Sequence, residues 1–347
     1  MISQQRLFTA YIDLSFLRKL LRSKPDPISD SDQDWMGIWQ SVFSFLRRRA
    51  RVIVDGREEK VLDSEVLTHV LLSDGQPQNV EFEPGISEQI DGKNGWLGEE
   101  PFSVFFFEEC DTPLRMLREK TGLLFLCHDE LNSRWPRLFQ SNTIDLHGDN
   151  STFEWNDLSP HARPLNTIII ADKYAYQQLA SHSNFTQNLG DLLETLLPDH
   201  TPEHPIDIAI VTGLQKAVAE RYEVRDLFQT ARSFLDDKFG HLDIHLRLLD
   251  FDQNQHEDRF LITNYGIFFS GDSFDYFRED GSLRKNTLVK YLPMRGHETE
   301  ALRRLRRFSN INFDPPLRYV DGNRVQLAEG DPRNRLLDWV QNHVAQK

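Results

Sequence analysis

HEDRFLITNYGIFFSGDSFDYF (256–277) reads as two short strands, RFLITN (259–264) and GIFFSG (266–271), joined tightly at Tyr265-Gly266 and followed by a Gly-Asp-Ser turn. Working outward, HLDIHLRLLDFD (241–252) alternates Ile244, Leu246 and Leu248 with His245 and Arg247, the pattern of a half-buried strand. Before it, Ala217, Tyr222, Val224, Leu227, Phe228 and Phe234 give a partly apolar helical face that Gly240 closes. IDIAIVTG (206–213) is a continuous apolar run, as expected for a strand buried on both faces.

The earlier part of the chain repeats this grammar. LFTAYID (7–13), ARVIVDG (50–56), FSVFFFE (102–108), GLLFLCHDE (122–130) and NTIIIADKY (166–174) are short apolar runs bounded by polar residues. Between them lie helical patterns, notably Trp35, Ile38, Trp39, Val42 and Phe45, and DLLETLLP (191–198), which Pro198 stops. Trp35 and Trp39 read as core rather than as a platform for stacking bases. Residues 22–34 and 75–100 are polar, and each reads as a long loop or a small hairpin insertion. Strands alternating with helices predict an α/β protein with a mostly parallel, helix-covered sheet. PDHTPEHP (198–205), with three Pro in eight residues, predicts a stiff linker. Two domains follow: an N-terminal α/β domain over 1–200 and a C-terminal mixed-sheet domain over 205–347.

The 347 residues carry 40 basic and 54 acidic side chains, a net charge of −14, which excludes a general nucleic-acid coat. The deficit falls unevenly: residues 1–200 hold 19 basic and 31 acidic groups, and residues 201–347 hold 21 and 23. Local basic patches remain, at Arg47, Arg48, Arg49 and Arg51, and at Arg303, Arg304, Arg306 and Arg307. Each reads either as a solvated helix face or as a phosphate contact. No apolar stretch is long enough for a membrane span, and the first residues lack the charged start and apolar run of a signal peptide. Cys110 and Cys127 are too few for a disulfide framework, so reduced thiols and a cytoplasmic location are expected. There is no Walker A loop, no G-x-G-x-x-G and no G-x-S-x-G elbow.

The strand pair at 256–277 resembles the active-site motif of the phospholipase-D-like phosphodiesterases, H-x-K-x4-D-x6-G-S. Laid on that spacing, the nucleophile position falls on Glu257, the lysine position on Arg259, the acid on Asn264, the glycine on Gly271 and the serine on Asp272, beside Ser273. His256 lies one residue out of register. The resemblance implies a phospholipase-D-like fold for the C-terminal domain. It also implies a phosphate site at Arg259, Asn264, Gly271, Asp272 and Ser273. A carboxylate at 257 is repelled by the phosphate that an imidazole would attack, so the resemblance implies a degenerate catalyst, with His256 as the alternative nucleophile. A single motif copy would need a homodimer to supply a second imidazole. Sequences of this grammar also resemble bacterial proteins of defence and mobile-element loci.

Several strands of the first half end on a carboxylate, among them Asp13, Asp55, Asp129 and Asp172. Converged beyond the strand ends, Asp13, Asp129 and Asp172 would bind Mg²⁺ or Mn²⁺ and activate water. The alternative is local capping and turn formation. Cys127-His128-Asp129 places a thiol, an imidazole and an acid side by side, but neighbours on a strand point to opposite faces, so Cys127 reads as a buried structural residue. Three functions are therefore expected in order: a binder of phosphate ligands (nucleic acid or nucleotide) without a cofactor; a nuclease, using the carboxylates and a metal or His256 alone; and a protein-interaction module without activity.

Overall fold

The computed structural model describes residues 6–26, 33–58, 80–86, 90, 100–146, 153–213, 223–250, 259–284, 286–315, 317–320 and 323–343. The chain divides into two compact units, Met1–Gln140 and Ser141–Lys347. This is not the division expected from the proline-rich segment. Residues 198–205 instead connect two strands of one sheet, because β7 (Thr167–Ala171) pairs in parallel with β8 (Ile206–Thr212). The charge asymmetry read from the halves disappears with that boundary: 17 basic and 23 acidic groups lie in the first unit, 23 and 31 in the second.

The first unit is built on β1 (Phe8–Asp13), β2 (Ala50–Asp55), β3 (Val80–Phe82), β4 (Ser103–Phe107) and β5 (Leu124–Cys127). They form an all-parallel sheet in the order β3-β2-β1-β4-β5. Helices α1 (Leu14–Arg22), α2 (Gln33–Arg48), α3 (Thr112–Thr121) and α4 (Leu131–Phe139) connect or cover these strands. One side of the core is aromatic: Phe45 packs edge-on to Phe8 and Trp135, with Phe106 and Phe139 beside them. On the other side Tyr11, Phe105 and Phe125 stack in a row across three strands. Trp39 and Trp35 donate their indole N–H groups to the carbonyls of Leu20 and Ser23, so both tie α2 to the end of α1. Burial of such rings, at roughly 2–3 kcal/mol each, is what holds the layers together.

The second unit carries β6 (Asn142–Leu146), β7, β8, β9 (Ile244–Asp250), β10 (Arg259–Thr263), β11 (Gly266–Ser270), β12 (Thr287–Pro293), the hairpin β13 (Leu317–Val320) and β14 (Asn323–Gln326), and β15 (Ala328–Gly330). Its eight-stranded sheet runs β15-β9-β8-β7-β10-β11-β12-β6. Strands β7, β8 and β9 are parallel, and the others attach antiparallel. Helices α5 (Asp191–Leu196), α6 (Val224–Phe239), α7 (Glu298–Phe313) and α8 (Arg335–His343) belong to this unit. The hairpin read at 259–271 forms as expected, and Gly266 is required there because a Cβ would run into the Tyr291 ring of β12. Among the described residues no helix is long and apolar enough to cross a membrane.

The two cysteines depart from expectation. Phe107 and Cys127 are partners across β4 and β5, and Cys110 follows β4 closely enough that its sulfur is bonded to that of Cys127, with the Cα atoms 5.4 Å apart. Adjacent parallel strands therefore bring together two thiols that lie 17 residues apart in sequence.

Candidate functional site

In the second unit, β7, β8 and β9 end side by side at Ala171, Thr212 and Asp250, and the antiparallel β10 starts at that same edge. The carboxyl edge of parallel strands is where ligands of α/β sheets bind, because backbone and loop groups there are not consumed by the sheet. Register fixes what gathers. Phe260 pairs with Ala171, which puts Arg259 beside Asp172, and Arg259 itself pairs with Ser270 at the end of β11.

Asp172 is completely buried. Its carboxylate accepts the hydroxyl of Ser273 and the backbone N–H groups of Tyr174 and Phe274, both at 2.9 Å. Burial pushes its pKa up, and these hydrogen bonds together with the Arg259 charge oppose that push. Tyr276, also buried, meets Ser270 through its hydroxyl, and burial raises its pKa. The guanidinium of Arg259 lies over the Tyr174 ring at 5.4 Å, and the Lys173 ammonium lies 4.9 Å from the same ring. Two cations thus share one aromatic ring at the strand ends. The Nε of Arg259 is buried and has no hydrogen-bond partner among the described residues. A buried N–H without an acceptor costs on the order of 1–3 kcal/mol, and an incoming anion would remove that cost.

The five residues of the expected phosphate cradle do not come together. Asn264 closes β10 at its far end, about 16 Å along the strand from Arg259 at the usual rise per residue. There it is fully buried, accepting from the backbone N–H of Asn166 at 3.0 Å and of Thr167 at 3.4 Å, and donating to the Asn166 side chain at 2.8 Å. It is a structural amide and has no access to an anion at Arg259. The backbone N–H of Gly271 is taken by the Leu288 carbonyl. Asp272 accepts from the backbone of Ser273, and the Ser273 hydroxyl is spent on Asp172. The turn therefore braces Asp172 and offers no free donor through those groups. Arg259 and Ser273 remain at one edge; His256 and Glu257 lie outside the described residues.

The expected metal carboxylates are also dispersed. Asp13 caps α1 through Ser15, Asp129 is exposed and paired with Lys19 at 3.2 Å, and Asp172 belongs to the other unit. Asp55 accepts the backbone N–H of Gly85 at 2.8 Å. Capping and turn formation account for Asp13, Asp55 and Asp172, as the alternative reading had it, whereas Asp129 is held by surface ion pairing. Among the described residues the one set of ligating atoms close enough for a metal is Cys110, Cys127 and Glu130. Part of each arginine cluster is engaged locally as well. Arg51 grips Glu81 through two nitrogens, Arg47 lies over Phe43, Arg303 and Arg304 share Glu300, and Arg304 is buried over Phe260 and Phe269. Hydrogen bonds from Arg303, helped by the Arg304 charge, hold the Glu300 carboxyl down at about 2.

Sequence reading placed Lys173 and Tyr174 in the run NTIIIADKY (166–174) but gave neither a role at a site. It also missed a serine–histidine–aspartate run in the first unit. The ring of His128 reaches Ser23 Oγ at 2.8 Å through Nε2 and Asp129 at 3.4 Å through Nδ1. This run does not make a nucleophile. Ser23 caps the carboxyl end of α1, where the helix dipole opposes an alkoxide, and its hydroxyl proton goes to the Leu20 carbonyl at 3.1 Å.

No family model matches this chain, and no curated protein matches its sequence. A solved structure that matches is that of TrmBL2, an archaeal chromatin protein described as showing a novel mode of DNA binding. The similarity covers 44% of this chain and 45% of that one, at 15% identity and a TM-score of 0.22.

Proposed function

We propose that the second unit binds a phosphate-bearing ligand, a nucleotide or a nucleic-acid strand, at the carboxyl edge of β7–β8–β9, and that it does so without cleaving it. In this reading Arg259 and Lys173 hold the phosphate and Tyr174 carries the two cations. Asp172, braced by Ser273 and Phe274, fixes the edge and balances the guanidinium. The scaffold is read as phospholipase-D-like, with the lysine position of that motif kept as Arg259 and its nucleophile position occupied by Glu257. One observation carries the proposal: a guanidinium at a sheet's ligand edge whose buried Nε lacks an acceptor among the described residues.

Charge limits the ligand. The unit's eight excess acidic groups repel polyanions at long range, so affinity has to come from a few close contacts. With two cations engaged on a single strand, log K should fall against log salt with a slope of about −1.4. The test is binding of a labelled single-stranded oligonucleotide and of a nucleoside triphosphate to the full chain across a salt series. Arg259→Ala should weaken binding about tenfold or more and bring the slope near −0.7, whereas Arg259→Lys should retain part of both. Unchanged affinity and slope in Arg259→Ala would remove the proposal.

A further inference from the structure

We propose that Cys110 and Cys127 form a reversible thiol–disulfide exchange site for a small-molecule thiol of the glutathione class, with Cys110 as the sulfur that is attacked.

The asymmetry of the pair supports this. Cys127, the last residue of β5, is fully buried, while Cys110 stands half-buried in the connection that leads into α3. An incoming thiolate can therefore reach only Cys110. That sulfur also has a fixed cation: Nη2 of Arg118 lies 3.7 Å away. Arg118 is itself nearly buried and is held independently of the sulfur, by the Phe125 carbonyl at 2.6 Å and by Glu130 at 2.7 Å. Glu130 Oε2 lies 3.6 Å from the same sulfur, but both Arg118 and Arg134 engage that oxygen, so two guanidinium groups outweigh one carboxylate and favour the thiolate over the thiol, which makes Cys110 both a good leaving group and a good resolving nucleophile. The bridge is not what aligns the strands. Backbone pairing from Val104 to Phe107 and the stacked rings of Phe105 and Phe125, 4.5 Å apart, already do so, and the fold should persist in both redox states.

The same atoms rank as a metal group, since Cys110, Cys127 and Glu130 converge. Arg118 argues against it. Its guanidinium occupies the Glu130 oxygen that a metal would need, and Arg134 contacts that same oxygen at 3.1 Å.

The chemistry balances with two thiols. The first thiolate attacks Cys110 Sγ, the sulfur–sulfur bond breaks, and Cys127 leaves as a thiolate that takes up a proton. The second thiolate attacks the small-molecule sulfur of the mixed disulfide and expels the Cys110 thiolate beside Arg118. The small-molecule disulfide is released, and the protein has gained two electrons and one proton, with Cys110 left as the thiolate.

The test equilibrates the native full chain in glutathione buffers of graded redox ratio and counts free thiols by differential alkylation and mass spectrometry. The expected result is a reversible two-electron titration with the far-ultraviolet circular dichroism unchanged. Cys127→Ser should accumulate one glutathionyl adduct on Cys110, and Cys110→Ser should leave Cys127 unmodified in the native state. In the Cys127→Ser background, alkylation of Cys110 at neutral pH should slow several-fold on Arg118→Gln. A bridge that opens only on denaturation would overturn the proposal. So would a reduced chain that retains zinc through gel filtration, or a Cys110 that alkylates no faster than a free cysteine in an unfolded peptide. The wild-type titration decides even if a variant does not fold.

Discussion

At the amino edge of the eight-stranded sheet, Asp207 holds the His245 ring at 2.9 Å, the Arg335 guanidinium at 2.8 Å and the Arg335 backbone N–H at 2.9 Å. At the carboxyl edge, Asp172 holds a serine and two backbone N–H groups, while the neighbouring Arg259 keeps a buried Nε without an acceptor among the described residues. Both edges present a buried acid near an arginine, and burial pushes both acids up in pKa. The difference lies in whether the arginine is satisfied. A paired arginine fastens helix α8 to the sheet; a buried guanidinium N–H without an acceptor costs stability unless something else binds. The contrast shows that the type of residue at a sheet edge says little about its role. Its completed hydrogen bonds say more.

The largest expected effect lies at the amino edge. Asp207→Ala leaves Arg335 and His245 without their acid in a nearly closed site, and removing one partner of such a buried pair costs about 3–5 kcal/mol. Urea unfolding should show that loss, while ligand affinity per folded molecule stays unchanged. A loss in affinity without a loss in stability would reverse the assignment of the two edges. Asn264→Ala should come next, at about 2–3 kcal/mol, because the backbone N–H groups of Asn166 and Thr167 lose their acceptor inside the protein. If Asn264→Ala instead abolished binding in a fully stable protein, Arg259 and Asn264 would belong to one site after all.

How much of this was legible in the sequence follows from the range of the forces involved. The hairpin at 259–271, the buried strands β1, β2, β4, β7 and β8, and the α2 face all follow from local periodicity and side-chain shape, and they form as read. The domain boundary did not, because a proline-rich segment looks alike whether it links two domains or two strands of one sheet. β6 and β12 were missed: their alternation is broken by polar residues such as Asn142, Asp145 and Lys290, and pairing with each other and with β11 makes them strands. The site was half legible. Motif spacing found Arg259 and Ser273, but it implied that intervals along the chain translate into one pocket. Five residues of extended strand carry Asn264 to the opposite edge. Nor does spacing show that Lys173 lies over the ring beside it, or that two cysteines on adjacent strands meet.

A smaller effect should appear with pH, again at the amino edge. Burial pushes the Asp338 carboxyl up to about 6, and the nearby Asp207 charge adds to the shift. The folded state therefore holds this proton more tightly than the unfolded chain, whose carboxyl has its ordinary value of 3.8. Stability from this group is complete below the unfolded value and is lost as pH rises through about 6, since the ionised form then has to be accommodated. Asp338 is partly exposed, and solvent screening reduces the expected change to about 1 kcal/mol. Thermal unfolding of Asp338→Asn between pH 4 and pH 7 should lack that decline. A wild-type Tm that rises over this interval by an amount the variant fails to reproduce would mean that Asp338 is stabilised as a carboxylate, by Arg335 rather than against Asp207.

The smallest expected change is also the most discriminating. Arg259→Ala removes a buried N–H that has no acceptor among the described residues and a cation–ring contact with Tyr174, two contributions of opposite sign and similar size. Unliganded stability should therefore shift by no more than about 0.5 kcal/mol. Asp172 loses a favourable charge in the variant, yet it keeps three donors. The matching substitution at the amino edge, Arg335→Ala, takes away the partner of Asp207 and should cost several times as much. Measured side by side in urea, the two arginine variants thus separate a residue held for the fold from one held for a ligand. Equal losses would mean that Arg259 is already satisfied within the native protein, and the carboxyl edge would then be a second structural clasp.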